Sequence, residues 1–74
     1  MAKPSIAIKG FVQLTIRQAQ NSEMLISLQN ISTVRAGHQN TSVHVLNSPF
    51  TSAPQELTAL EEYAEVIRRI KEAS

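Results

Sequence analysis

The chain has no cysteine and no tryptophan, and all six of its acidic residues are glutamates. Without cysteine, neither a disulfide nor a thiolate-bound structural zinc can supplement the core. Without aspartate, the usual partner that orients a catalytic histidine is missing. Phe11, Phe50 and Tyr63 are the whole aromatic complement, so the core has to be aliphatic. The two glycines, Gly10 and Gly37, stand far apart and cannot build a phosphate-cradling loop. Long apolar runs are absent too. The amino end, MAKPSIAIKGFVQLTI, is interrupted at Lys9 and Gly10. A secretory leader needs roughly 7–15 uninterrupted apolar residues and a membrane span roughly 20. The expectation is a cytoplasmic protein without a membrane partner.

Seventy-four residues make one domain near the lower limit for a self-sufficient core. A chain of this size buries only about 60% of its unfolded surface. With no covalent cross-link, the remaining sources of stability are tight packing or self-association.

What the sequence does contain is divided in two. Glu56, Glu61, Glu62, Glu65 and Glu72 crowd the last nineteen residues, and Glu23 alone lies outside them. Before residue 56, Lys3, Lys9, Arg17 and Arg35 stand against Glu23, a balance of +3. From residue 56 onward, five glutamates face Arg68, Arg69 and Lys71, a balance of −2. The first part alternates apolar and uncharged polar residues, and the second reads as a charged amphipathic helix.

Residues 6, 8, 12, 14 and 16 are apolar with Gly10 at the vacant step, the period-two pattern of a half-buried strand over 5–17, either one long strand or two collinear ones bent at Gly10. Residues 1–4 are expected to form a loose arm. QAQNS (18–22) is a polar connection in which Asn21 can take a positive φ. Met24, Ile26 and Leu28 alternate again, Ile31 and Val34 lead a further strand, and Thr41–Asn47 forms the next after a turn at Gly37 and Asn40. Short connections favour antiparallel neighbours, which gives a meander of three to four strands over 5–47. Residues 48–53 connect it to a helix over 54–73, with Phe50 tucked beneath. Ser52 and Gln55 have capping-box spacing, Pro54 suits the first turn, and Leu57, Leu60, Tyr63, Ala64, Ile67 and Ile70 share one side. The fold class expected is α+β: a small antiparallel sheet with one C-terminal amphipathic helix on one face.

Candidate chemistry is sparse. His38 falls in a turn and His44 on a strand, without the clustered carboxylates a metal site needs. The glutamates near 61–65 share a solvated helix face. No serine has a nucleophile-elbow setting. An enzyme would require an oligomer that joins His44 of one chain to glutamates of another. No catalytic residue, metal or cofactor is assigned. For nucleic acid, Lys3, Lys9, Arg17 and Arg35 could contact phosphates if they shared a sheet face, but the net charge of +1 argues against that partner. A third feature carries more weight. Phe11, Leu25 and Leu46 break the parity of their strands and place apolar groups on the face away from the helix. In so small a chain such surface is more often a contact between copies than a ligand pocket.

FVQLT, then EMLISLQNISTVRAGHQNTSVHVLN, then EEYAEVIRRI, resembles the small FlbD-type flagellar and swarming-motility proteins of bacteria. The matching positions are Ile26, Ile31 and Val34, then Thr41 and Val43, then Glu65 and Val66. The likeness spans about residues 11–70 and rests on hydrophobic spacing. Where that family has a glycine hairpin and a further strand before its helix, this sequence has SPFTSAPQ. The resemblance implies a fold and supplies no catalytic residues. The reading is a non-catalytic interaction or scaffold module that works as a homodimer or higher oligomer, with another protein as a further partner. The alternative is a small nucleic-acid-binding regulator that uses the basic residues.

Overall fold

The computed structural model describes residues 8–74. They form β1 (Phe11–Ile16), β2 (Ser22–Ser27), β3 (Ile31–Ala36), β4 (Thr41–Val45), β5 (Gln55–Ala59) and one helix, α1 (Tyr63–Ala73). The strands build a single antiparallel sheet in the order β2-β1-β5-β4-β3. The α+β class, with one C-terminal helix against an antiparallel sheet, is therefore the fold of this chain. Its details differ from the sequence expectation in three ways.

The first difference is the helix start. Residues 54–62 are not helical: Gln55–Ala59 is β5, and the helix begins at Tyr63. Leu57 and Ala59 alternate as a strand, and both are fully buried against the sheet's core. The capping box is absent, because Ser52 takes φ 58 inside a turn and Gln55 opens the strand. The buried stripe of α1 is Val66 and Ala73 with Ile70 half-buried, while Tyr63 and Ala64 face solvent. Phe50 does not tuck under the helix and is 45% exposed.

The second difference is strand order. The sheet has five strands, and β5 lies between β1 and β4, so sequence neighbours pair only as β1–β2, β3–β4 and β4–β5. The third lies at the amino end. The strand expected over 5–17 is β1 at Phe11–Ile16, preceded by an isolated Ile8–Phe11 bridge. Residues 5–7 and the arm at 1–4 lie outside the described residues. Gly10 takes φ +88 in the bridge turn, and a side chain there would meet no neighbour, so glycine serves backbone conformation at this position.

Topology forces the sheet to curl. β2 and β3 are its two outer strands, yet only the turn Leu28–Asn30 separates them in sequence. From Ser27 to Ile31 the chain reaches roughly 14 Å at most. The outer strands of a flat five-stranded sheet lie roughly 19 Å apart. The concave side holds the core: Val12, Leu14, Ile16, Ile26, Val43, Val45, Leu57 and Ala59, closed by Val66 of α1. All are aliphatic, as the shortage of aromatics requires.

β1 and β5 touch through a single ladder pair, Ile16↔Ala59, and diverge beyond it. The segment after β5 fills the opening. Leu60 N–H donates to the Thr15 carbonyl at 2.9 Å, and the Glu61 carboxylate accepts from Thr15 N–H at 3.0 and 3.1 Å. Arg69 Nη1 donates to the Gln13 carbonyl at 2.8 Å. Side chains from the helix segment thus satisfy a strand edge that β5 leaves open.

Candidate functional site

Phe11 and Leu25 meet on the convex face of the β1–β2 hairpin. The register pairs Phe11 with Ser27 and Gln13 with Leu25, so the two apolar residues are diagonal neighbours on one face. They are 42% and 41% exposed. Both line a concavity of about 470 Å³ that runs from the outer side of β2 to the loop after β4. The core residues Ile26 and Val45 border it, and Pro49 forms part of the far wall. None of its lining residues is charged. The exposed apolar surface at this concavity is that of Phe11 and Leu25, since Ile26 and Val45 are themselves buried.

The loop wall is held firmly. Asn47 N–H donates to Asn30 Oδ1 and Asn30 Nδ2 donates back to the Asn47 carbonyl, each at 2.9 Å. Ser48 is buried, with its hydroxyl on Gln55 Oε1 and its oxygen accepting from Phe50 N–H. Leu46 departs from the expected set. It follows β4, is 52% exposed and lies outside this concavity. Of the three parity-breaking residues, the structure brings two together.

The basic residues come from separate elements. Lys9 and Arg17 lie beyond opposite ends of β1, a six-residue strand roughly 17 Å long by strand rise. Arg17 Nη2 lies 2.8 Å from the Asn40 side-chain amide. Arg35, on β3, donates to Glu56 of β5 at 2.7 Å, so its charge is already matched. Lys3 lies outside the described residues.

Arg35, Glu56, Thr33, Ser42 and His44 line a shallow polar depression of about 300 Å³ on the outer face of β3–β5. Ser32 Oγ is 2.7 Å from His44 Nδ1, at the β-bulge between Ile31 and Thr33. The carboxylate of Glu56 is turned to Arg35, and the imidazole's hydrogen-bond partner is the Ser32 hydroxyl. Such a pair pins the bulge to β4. Among the described residues, no group of three or more histidines and glutamates could hold a metal ion, and no helix is long and apolar enough to cross a membrane.

The charged face of α1 is an ion-pair network. Glu65 accepts from Arg68 at 2.6 Å and from Arg69 at 2.7 Å, and Arg68 also reaches Glu72. The hydrogen bond from Arg68, joined by that from Arg69, lowers the Glu65 carboxyl from 4.5 to about 2. The same pairing with Glu65 raises the Arg68 guanidinium above its ordinary range.

Sequence reasoning missed Glu61 and Arg69 as structural residues. It placed Glu61 on a solvated helix face, whereas Glu61 is 13% exposed and paired with Arg69 at 3.3 Å beside β1. The available signal was positional: Arg69 adjoins the half-buried Ile70, and Glu61 stands two residues before the helix. No protein-family model matches this chain, and comparison with curated proteins and with solved structures gave no significant match.

Proposed function

We propose that the chain is a non-catalytic, cytoplasmic interaction module that works as a homodimer. The observation that carries this reading is the uncharged concavity beside Phe11 and Leu25, with Ile26 and Val45 at its border. Leaving that surface wet forgoes about 25 cal/mol per Å² of possible burial. A domain of this size, without disulfides, has little stability to spare. An uncharged patch also meets its own copy without like-charge repulsion, whereas a charged partner would gain nothing there. A contact of standard size, roughly 800 Å² per partner, is about one sixth of the 4945 Å² surface of the chain. The hairpin face and the neighbouring loop would form its centre, and the ion-paired face of α1 stays in water.

The FlbD-type resemblance supports the fold-level part of this reading. β5 stands between β4 and α1, where that pattern has its last strand, although SPFTSAPQ gives no glycine hairpin. No role in motility is carried over. The nucleic-acid alternative lacks comparable support, because Arg35 is engaged by Glu56 and the basic residues come from separate elements.

Light scattering at micromolar concentration tests the proposal. The expected mass is twice that of the chain, and Phe11→Ser shifts it toward the monomer and lowers Tm. A monomeric parent whose Tm is unaffected by Phe11→Ser would overturn it.

A further inference from the structure

We infer that two copies join edge to edge through β2, antiparallel across a two-fold axis that passes at Leu25. The inference rests on the homodimer reading and specifies its contact.

The backbone sets which groups are available. Thr15 turns its N–H and C=O away from β2, toward Glu61 and Leu60. In an antiparallel pair the polar groups of successive residues point to opposite sides. The even-numbered residues of β1 therefore bond to their even-numbered partners in β2, consistent with Leu28 N–H on the Gly10 carbonyl. It follows that Glu23, Leu25 and Ser27 direct their backbone groups outward from the free side of β2. Among the described residues, β2 pairs with β1 alone. An edge of this kind is a template for another strand. Antiparallel pairing of a strand with itself is the arrangement a two-fold axis generates.

Charge and overlap then choose the register. An axis at Glu23 would set two carboxylates directly opposite each other, which is destabilising. An axis at Ser27 would carry the pairing past the end of the strand into the Leu28–Asn30 turn. With the axis at Leu25, each outward-facing residue of β2 finds an outward-facing mate within the strand: Leu25 meets its own copy and Glu23 meets Ser27. Like charges are not opposed anywhere in that ladder. Leu25 and its diagonal neighbour Phe11 lie on the same convex face, so the two hairpins form one continuous apolar strip across the axis. This places the second copy along the concavity that Ile26 borders.

The absence of cysteine makes the test direct. In a bonded antiparallel pair the Cα atoms are about 5.5 Å apart, inside the range a disulfide accepts. Leu25→Cys is expected to cross-link to a covalent dimer under mild oxidation, while Leu46→Cys, more exposed but not on β2, stays uncross-linked. Because Leu25→Cys also removes apolar contact, a second series reads register without it. Ser27→Glu sets a carboxylate against Glu23 on both sides of the axis and is expected to weaken the dimer about tenfold. Adding Glu23→Lys restores it. A dimer by light scattering in which Leu25→Cys fails to cross-link, or Ser27→Glu has no effect, overturns this contact and leaves homodimerisation standing. A monomeric parent chain overturns both.

Discussion

Glu61 serves as a substitute strand for Thr15. Its carboxylate accepts from the Thr15 N–H at 3.0 and 3.1 Å and from the Thr15 hydroxyl at 2.8 Å, while its own carbonyl accepts from the buried Thr41 hydroxyl at 2.8 Å. One residue thereby ties β1 to the start of β4 where β1 and β5 diverge. Removing it leaves a part-buried backbone N–H without its acceptor and Arg69 without one of its partners. Such a loss costs about 1–3 kcal/mol. Glu61→Ala is expected to lower the urea midpoint accordingly, with Glu61→Gln less damaging because an amide oxygen can still accept. Equal midpoints for Glu61→Ala and the parent would show that β1 does not depend on this bridge.

Leu57 and Leu60 distinguish a strand from a helix in the segment after Pro54. A helix from 54 would bury both on one stripe. In the structure Leu57 is fully buried on β5 between core neighbours, and Leu60 is half-buried in the connection to α1. Truncating a buried leucine to alanine costs about 2–5 kcal/mol, and a half-buried one less. Leu57→Ala is thus expected to remove a large share of the stability, since a small domain holds only about 5–10 kcal/mol in all. Leu60→Ala is expected to melt as a folded protein a few degrees below the parent. Comparable losses at both sites in thermal melts would return this segment to the helical reading.

The residues around this segment show what the sequence could and could not disclose. QELTAL places apolar residues at 57, 59 and 60, which satisfies a period of two through Leu57 and Ala59 and a helical step through Leu57 and Leu60. The decision comes from long-range pairing with β4, which local spacing does not encode. β5's insertion between β1 and β4 is equally non-local. By contrast, the alternation of Val12, Leu14 and Ile16 was legible because their side chains face a single core. The apolar diagonal of Phe11 and Leu25 was legible from broken parity, but Leu46 broke parity only because β4 had already ended at Val45. Glu61 and Arg69 look like ordinary solvated charges until the open edge of β1 is known.

The ion-pair network on α1 predicts an acid-sensitive limb. The Glu65 carboxyl is held at about 2 by hydrogen bonds from Arg68 and then Arg69, against an ordinary value of 4.5. A group whose folded value is depressed contributes stability that is complete above its unfolded value and is lost as pH falls through the folded one. The contribution of Glu65 is therefore present above about pH 4.5 and disappears toward pH 2. The group is solvent-facing, so the effect is modest and screened by salt. Thermal melts from pH 6 to 2 in low salt are expected to show a decline between 4.5 and 2 that is shallower in Glu65→Gln. Parallel pH profiles for the two proteins would remove Glu65 from the stability of the helix.

The arrangement of positive charge predicts how the chain meets nucleic acid. Affinity for a duplex grows with the number of phosphates neutralised at once, and its salt dependence reports that number. Lys9 and Arg17 lie at opposite ends of β1, and Arg35 would have to leave Glu56 before it could reach a phosphate. With Lys9 and Arg17 so separated and Arg35 held by Glu56, few phosphates are expected to be neutralised at once. Fluorescence anisotropy with a random-sequence duplex at physiological salt is expected to show binding no tighter than the non-specific limit of about 10⁻⁴ M. Glu56→Ala, which releases Arg35, is expected to raise the affinity slightly without a steep salt slope. A micromolar complex in the parent chain, weakened in proportion to several released counterions and abolished by Arg17→Ala or Arg35→Ala, would mean that a basic face is assembled in the oligomer. It would make the chain a nucleic-acid-binding regulator instead of a module that binds its own kind.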